Sequence, residues 1–150
     1  MQHFDYCRLI FICMDNTIVS RIAETLFRAT TLSKEVECFS RGLVVLFQEP
    51  VNPKAVFALK EHGFEMPEFF STQFHRIEAN EHTLLLTMTE SQKQKVMRDF
   101  SITNHVFTIK EFTGEDGDCI DPYGQTLLAY EECYEELARL VKKVVYQLEQ

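Results

Sequence analysis

No two of the five cysteines form a C-x-x-C pair, and none has zinc-ligand spacing; they fall at positions 7, 13, 38, 119 and 133. Their odd number and scatter argue against a disulfide framework. The five histidines are equally dispersed, so no metal or other cofactor is expected. Positive charge is scarce, with 15 Lys and Arg against 23 Asp and Glu, a net charge of −8 and a pI near 5.1. A nucleic-acid partner is therefore not expected, because such binding needs a basic face. No apolar run approaches the roughly 18 residues that span a bilayer, and residues 1–8 show no signal-peptide core. No repeat, low-complexity stretch or internal boundary is visible. With 45% hydrophobic residues over 150 positions, the chain reads as one domain, 1–150, with a real core. A reduced, cytoplasmic, soluble protein without a membrane partner is the expectation, and the oligomeric state is left open.

One more absence is local. From Met14 to Ser20 there is no arginine or lysine, although the surrounding layout suits an anion. An apolar strand ends in Cys13, a short polar loop follows, and Ser20 is placed to open an amphipathic helix. Loop amides and the positive end of a helix dipole would then face inward, favouring a phosphoryl group or other small anion. The same surroundings would activate Cys13 as a thiolate.

The residues of this stretch, Cys13-Met14-Asp15-Asn16-Thr17-Ile18-Val19-Ser20-Arg21-Ile22-Ala23-Glu24, resemble the signature of the low-molecular-weight protein tyrosine phosphatases. That signature reads roughly Cys-x-Gly-Asn-x-x-Arg-Ser-Pro-Met-Ala-Glu. Asp118-Cys119-Ile120-Asp121-Pro122-Tyr123-Gly124 resembles the family's Asp-Pro-Phe/Tyr-Gly segment, and Ser40-Arg41-Gly42-Leu43 its Ser-x-Gly. The likeness extends over essentially the whole chain, best at 8–27, 40–43 and 118–124. It implies a nucleophile at Cys13 that attacks phosphorus in line and forms a phosphocysteine. It implies a general acid at Asp121 that protonates the leaving oxygen and then activates water. Asn16 corresponds to the loop asparagine and Ser20 to the serine that hydrogen-bonds the thiolate. A phosphoprotein is the partner this implies.

The departures from the signature are as specific as the matches. Val19 stands where the family has its phosphate-gripping arginine, Asp15 where it has glycine, and Arg21 where it has proline. Valine cannot offer two parallel N–H donors to a phosphoryl group. Losing one donor of that kind costs about 10²–10³ in rate in related chemistry. Asp15 adds like-charge repulsion, or caps loop N–H groups with its carboxylate in the place a phosphate would fill.

Apolar runs alternate with helical patterns, the mark of a parallel sheet wrapped by helices. Arg8 to Met14 reads as a central strand and Val36 to Phe39 as a second. A helix starts at Asn52-Pro53 and ends at Gly63. His82 to Met88 is the third strand, Thr89 to about Phe100 a helix, and His105 to Ile109 the fourth strand. A long closing helix follows Gln125, with Leu127, Tyr130, Tyr134, Leu137, Val141, Val144 and Leu148 on one face. The expected fold is α/β, a three-layer α/β/α sandwich on a four-stranded parallel sheet. The Cys13 and Asp121 loops would meet at the carboxyl ends of the strands, where open α/β sheets place their sites.

Several residues carry two readings. Cys13 is either the nucleophile or a buried small hydrophobe. Asp121 is an acid or an ordinary Asp-Pro turn residue. Asn16 holds a left-handed turn or contributes to binding, and Ser20 is an N-cap, a thiolate partner or both. Arg21 is a solvated or salt-bridged side chain in the first helical turn, or it reaches an anion over the loop. Phe69, Phe70, Phe74 and Tyr123 line a pocket or pack. Three functions are therefore weighed: a degenerate phosphatase-like protein, a working phosphatase with Arg21 or another cation substituting, and an arsenate-reductase-like thiol protein pairing Cys13 with Cys119.

Overall fold

A computed structural model describes residues 5–150, and its architecture is a four-stranded parallel sheet in the order β2-β1-β3-β4. The strands are β1 Arg8–Cys13, β2 Glu37–Gly42, β3 Thr83–Thr87 and β4 Val106–Thr108. Helices α1 Val19–Arg28, α2 Pro53–Glu61, α3 Glu90–Asp99, α4 Ile109–Phe112 and α5 Leu127–Leu148 connect and close them. β1 is central, paired in parallel with β2 on one side and with β3 on the other. That position explains its unbroken apolar run, since a strand covered on both faces has no solvent side to keep polar.

The period-two geometry of β1 divides the core in two. Leu9, Phe11 and Cys13 face a cluster with residues of α1, α2, α4 and α5, including Ile22, Leu59, Phe112 and Leu140. Ile10 and Ile12 face a smaller cluster with Val96 of α3, Phe74 and Ile102. Helices thus cover both faces, and the three-layer α/β/α sandwich expected from the sequence is the fold.

Local chemistry explains most element ends. Asn52 accepts from the Lys54 amide at 2.9 Å with Pro53 as the first residue of α2. Thr89 and Gln92 form a reciprocal capping box at the start of α3. Three expectations need correction. β2 continues three residues beyond Phe39, because pairing with β1 extends to Gly42. The run ending at Ile109 is not all strand: Thr108 and Glu111 form a capping box that turns the chain into α4. Ser20 does not cap α1, whose N-cap position is Ile18 with no side-chain hydrogen bond. The first amides of α1 are therefore left uncovered by any side chain of that residue.

No helix among the described residues is long and apolar enough to cross a membrane.

Candidate active site

The sheet order reverses direction at β1, so the crevice between the carboxyl ends of β1 and β3 is the topological switch point. Cys13 ends β1 there. Met88, directly after β3, accepts from the Cys119 amide at 3.0 Å, which ties the Asp121 segment to the end of β3. The two motifs thus arrive at the same end of the sheet. The thiol of Cys133 in α5 is raised chiefly by burial, with the charges of Glu136, Asp121 and Cys13 adding to it.

The Cys13 loop is held from several sides. Leu43 donates to the Cys13 carbonyl, Val44 to that of Met14 and Asn52 to that of Thr17, all at 2.9–3.0 Å. Gly42 permits this approach: a Cβ there would lie 2.6 Å from Val45 Cγ2 and 3.0 Å from the backbone of Met14 and Asp15. Asn16 is the pivot. It takes a left-handed φ of 63°, which asparagine tolerates better than most residues. Its Nδ2 donates to Ser20 Oγ and Ser40 Oγ, each at 2.9 Å, and its Oδ1 accepts from the Thr72 amide at 2.9 Å. Among the described residues only Asn16, Ser101 and His105 combine a side chain with positive φ. Asp15 therefore replaces glycine without backbone strain, and the loop keeps its course.

Cys13 is buried, with Sγ 2.9 Å from Ser20 Oγ. Burial pushes its thiol above its ordinary pKa, and the Asp15 charge adds to that. The Ser20 hydroxyl and the backbone amides of Ser20 and Asn16 pull the other way. The amides thus face the sulfur as an anion cradle requires, yet desolvation outweighs them. Asp15 Oδ1 accepts from the Thr17 amide at 3.3 Å and the Thr17 hydroxyl at 3.0 Å. Asp15 thus caps its own loop at Thr17, but it is exposed to solvent, so the expectation that its carboxylate occupies the place of a phosphate is not met. Val19 is buried in the main core.

Arg21 lies only 3% exposed. Its Nη1 donates to Glu24 Oε1 at 2.6 Å and Ser40 Oγ at 2.9 Å, and its guanidinium lies 3.7 Å from the centre of the Phe69 ring. Of the two readings of Arg21, the salt-bridged one is what the structure contains, and the hydrogen-bonded path to the thiol runs through Ser40, Asn16 and Ser20. Asp121 is exposed, and its Oδ1 accepts from the Tyr123 amide at 3.0 Å as a turn residue does. Lys54 Nζ donates to the Gln125 carbonyl at 2.8 Å and so joins α2 to the loop before α5. Met14 and Val44 beside the loop, Leu46 and Phe47 beyond it, and Tyr123 are exposed. Phe74 packs in the smaller core and Phe70 is half exposed.

Two features escaped the sequence reading. The Cys13 charge contributes to raising the Cys133 thiol, whereas the charged neighbours of Cys119 are Glu136, Lys110 and Cys133. Cys133 is one helical step from Tyr130 on the buried face of α5, a periodicity that could have pointed to it. Glu24 was read only as part of the helix start. It is buried and accepts from Arg21, Arg28 and Ser40.

The sheet order, the cysteine at the end of β1 and the serine and asparagine around it define a phosphatase-type α/β domain. The profile of the low molecular weight phosphotyrosine protein phosphatases matches residues 8–150, and the chain belongs to that family. The low molecular weight protein-tyrosine-phosphatase PtpB of Staphylococcus haemolyticus is 30% identical over 137 residues, 91% of this chain and 96% of its own. The crystal structure of a low molecular weight protein tyrosine phosphatase from T. tengcongensis superposes with a TM-score of 0.87 at 32% identity, covering 94% and 99% of the two chains. The YwlE arginine phosphatase from Geobacillus stearothermophilus gives 0.87 at 30% identity over 94% and 92%.

Proposed function

We propose that this chain is a low-molecular-weight phosphatase-like protein whose hydrolysis of phosphomonoesters is strongly impaired. A phosphoprotein or small phosphorylated molecule is its ligand class, and a reduced cytoplasm its setting. The observation that carries the reading is the loss of the loop cation, with Val19 buried at its position and Arg21 engaged by Glu24 and Ser40. Phosphoryl transfer depends chiefly on stabilising charge spread over the equatorial oxygens. Amides alone supply part of that, and Asp15, already bonded to the Thr17 amide, opposes it. The thiol adds a second obstacle, because burial holds Cys13 in its protonated form and the thiolate is the attacking species.

In an intact reaction Cys13 would displace the leaving oxygen from phosphorus while Asp121 protonates that oxygen. Water activated by Asp121 would then release phosphate from the phosphocysteine. Hydrolysis of an aryl phosphate by the wild type and by Cys13→Ser tests the reading. Background rates in both are expected. Wild-type turnover in the usual enzyme range of about 1–10³ per second, abolished in the serine variant, would establish a working phosphatase instead.

A second reading is favoured by the retained Cys13–Ser20 contact and the amides aimed at the sulfur: residual turnover on a substrate that brings its own cation. One neighbour in structure is named an arginine phosphatase, and a phosphoguanidinium is a substrate of that kind. Phosphoarginine-bearing peptides should then outperform aryl phosphates; equal background on both removes this reading. For thiol redox chemistry, peroxide would oxidise Cys13 and a second thiol to a disulfide with release of two waters. Cys119 and Cys133 are the two thiols to examine as partners, and peptide mass spectrometry showing no Cys13–Cys133 or Cys13–Cys119 link would exclude it.

A further inference from the structure

Arg21 is a buried charge for which the chemistry described so far has no use. Its Nε and Nη2, the side-on fork of the guanidinium, have no hydrogen-bond partner among the described residues, a rare condition for buried polar atoms. Its carboxylate partner is divided: Glu24 Oε1 takes Arg21 at 2.6 Å and Oε2 takes Arg28 at 2.8 Å. An apolar residue would fill the space without the desolvation penalty of a guanidinium. What the position does engage is Nη1, which stands at the head of the hydrogen-bonded path to the Cys13 sulfur.

Every hydrogen along that path can be placed. A backbone N–H only donates, so the Thr72 amide, 2.9 Å from Asn16 Oδ1, fixes which way the Asn16 amide points. Its two Nδ2 hydrogens then go to Ser20 Oγ and Ser40 Oγ. Ser40 Oγ accepts from Asn16 and from Arg21 Nη1, which fills its lone pairs, and gives its own hydrogen to Glu24 Oε1 at 2.6 Å. Ser20 Oγ already accepts from Asn16, and the sulfur 2.9 Å away is the acceptor left for its hydrogen. Both serines are fully buried, so solvent does not stand in for a partner. A Cys13 thiol donating to Ser20 would strand the serine hydrogen, whereas a thiolate receives it.

The surrounding charges act on the same balance. A charged Cys13 favours the charge of Arg21, and Coulomb attraction is mutual. Against the thiolate stand the Asp15 carboxylate in the loop and the Cys133 thiol of α5. Around Arg21 itself, Glu24 attracts while Arg28 and Arg41 repel. Without Arg21, the buried Glu24 carboxylate would keep Arg28 as its ion-pair partner and stand as a less compensated negative charge behind the loop.

From the fixed hydrogens and the facing charges we infer that Arg21 is a positioning residue for Cys13, a cation beneath the loop that acts through Ser40 and Asn16 to keep the Ser20 hydroxyl on the sulfur and favour the thiolate. It does not touch the ligand. The inference concerns the readiness of the thiol, and it stands or falls separately from whether phosphoryl transfer is impaired.

Two readouts test it on the folded chain. In protein labelled with ¹³C at cysteine Cβ, NMR follows ionisation of Cys13, its signal assigned with Cys13→Ser. Arg21→Met should raise the midpoint by about one pH unit, a tenfold smaller thiolate fraction at any pH below it. Alkylation of Cys13 by iodoacetamide at pH 8 should slow by about tenfold in the same variant, whereas mere loosening of the structure would speed it. Arg21→Lys, which keeps the charge and loses the fork, should restore most of both. If Arg21→Met does not fold, as judged by thermal unfolding, the equally neutral Arg21→Gln takes its place. An unmoved midpoint in the neutral variant, unchanged or faster alkylation, or a lysine variant no better than the neutral one would each overturn the inference.

Discussion

The Cys13 loop and the Arg21 cluster lie a few hydrogen bonds apart and are opposites. The loop has the shape of an anion site, with amides on the sulfur and an asparagine holding the turn, but no cation. The cluster has cations to spare and a fork without a partner, but no loop built around it. A phosphatase needs both features in one place. Here the substitution of arginine by valine at 19 and of proline by arginine at 21 separates them by two positions along α1. A shift of two residues along a helix turns a side chain by about 200°, which carries it from the loop to the flank.

Restoring the loop is the strongest way to break the contrast. Asp15→Gly with Val19→Arg should raise aryl phosphate turnover by about 10²–10³, the worth of one transition-state donor in comparable chemistry. No gain would place the defect in Cys13 or Asp121 rather than in the missing cation. Next in size is Asn16→Ala. It removes three side-chain hydrogen bonds and leaves alanine in a left-handed turn, a loss of about 3 kcal/mol in denaturant unfolding. A loss well under that would mean the loop is held by its backbone contacts alone.

How much of this was legible beforehand follows the range of the forces involved. The sheet was readable because Leu9 to Ile12 is apolar without alternation, and the starts of α2 and α3 because Asn52, Pro53 and Thr89 act on their immediate neighbours. The Cys13 and Asp121 loops could be brought together by topology alone. The brief helix after β4 had a signal in Thr108 and Glu111, overridden by the β-branched residues around it. The fate of Arg21 was not readable in the same way. It is decided by Glu24 three residues further along α1, by Ser40 on β2, and by Phe69 in a segment without regular structure. Cys133 likewise joins Cys13 in one core cluster only because α5 packs against α1 and α2.

Gly42→Ala sharpens the contrast more gently. A methyl group there meets Val45 and the backbone of Met14 and Asp15, so about 1–3 kcal/mol of stability should be lost through overpacking. An unchanged midpoint would show that the loop has slack. The smallest effect is expected from pH. Burial raises the thiols of Cys13, Cys38 and Cys133 above their ordinary 9.0, with Cys133 pushed up to about 12. The unfolded chain loses these protons first, so stability is intact below pH 9 and falls as pH rises from there through the folded values. Urea midpoints taken across that window check the sign, and alkylation of Cys13 should be slow at neutral pH and rise only in alkali.

The contrast rests on the claim that the loop amides, without a cation and facing Asp15, do not hold an oxyanion dianion. Titration of inorganic phosphate, followed at the amides of residues 14–20, tests it most directly. The expected result is no saturation in the wild type and saturable shifts once Asp15→Gly and Val19→Arg are combined. Tight, saturable binding at those amides in the wild type would contradict the account.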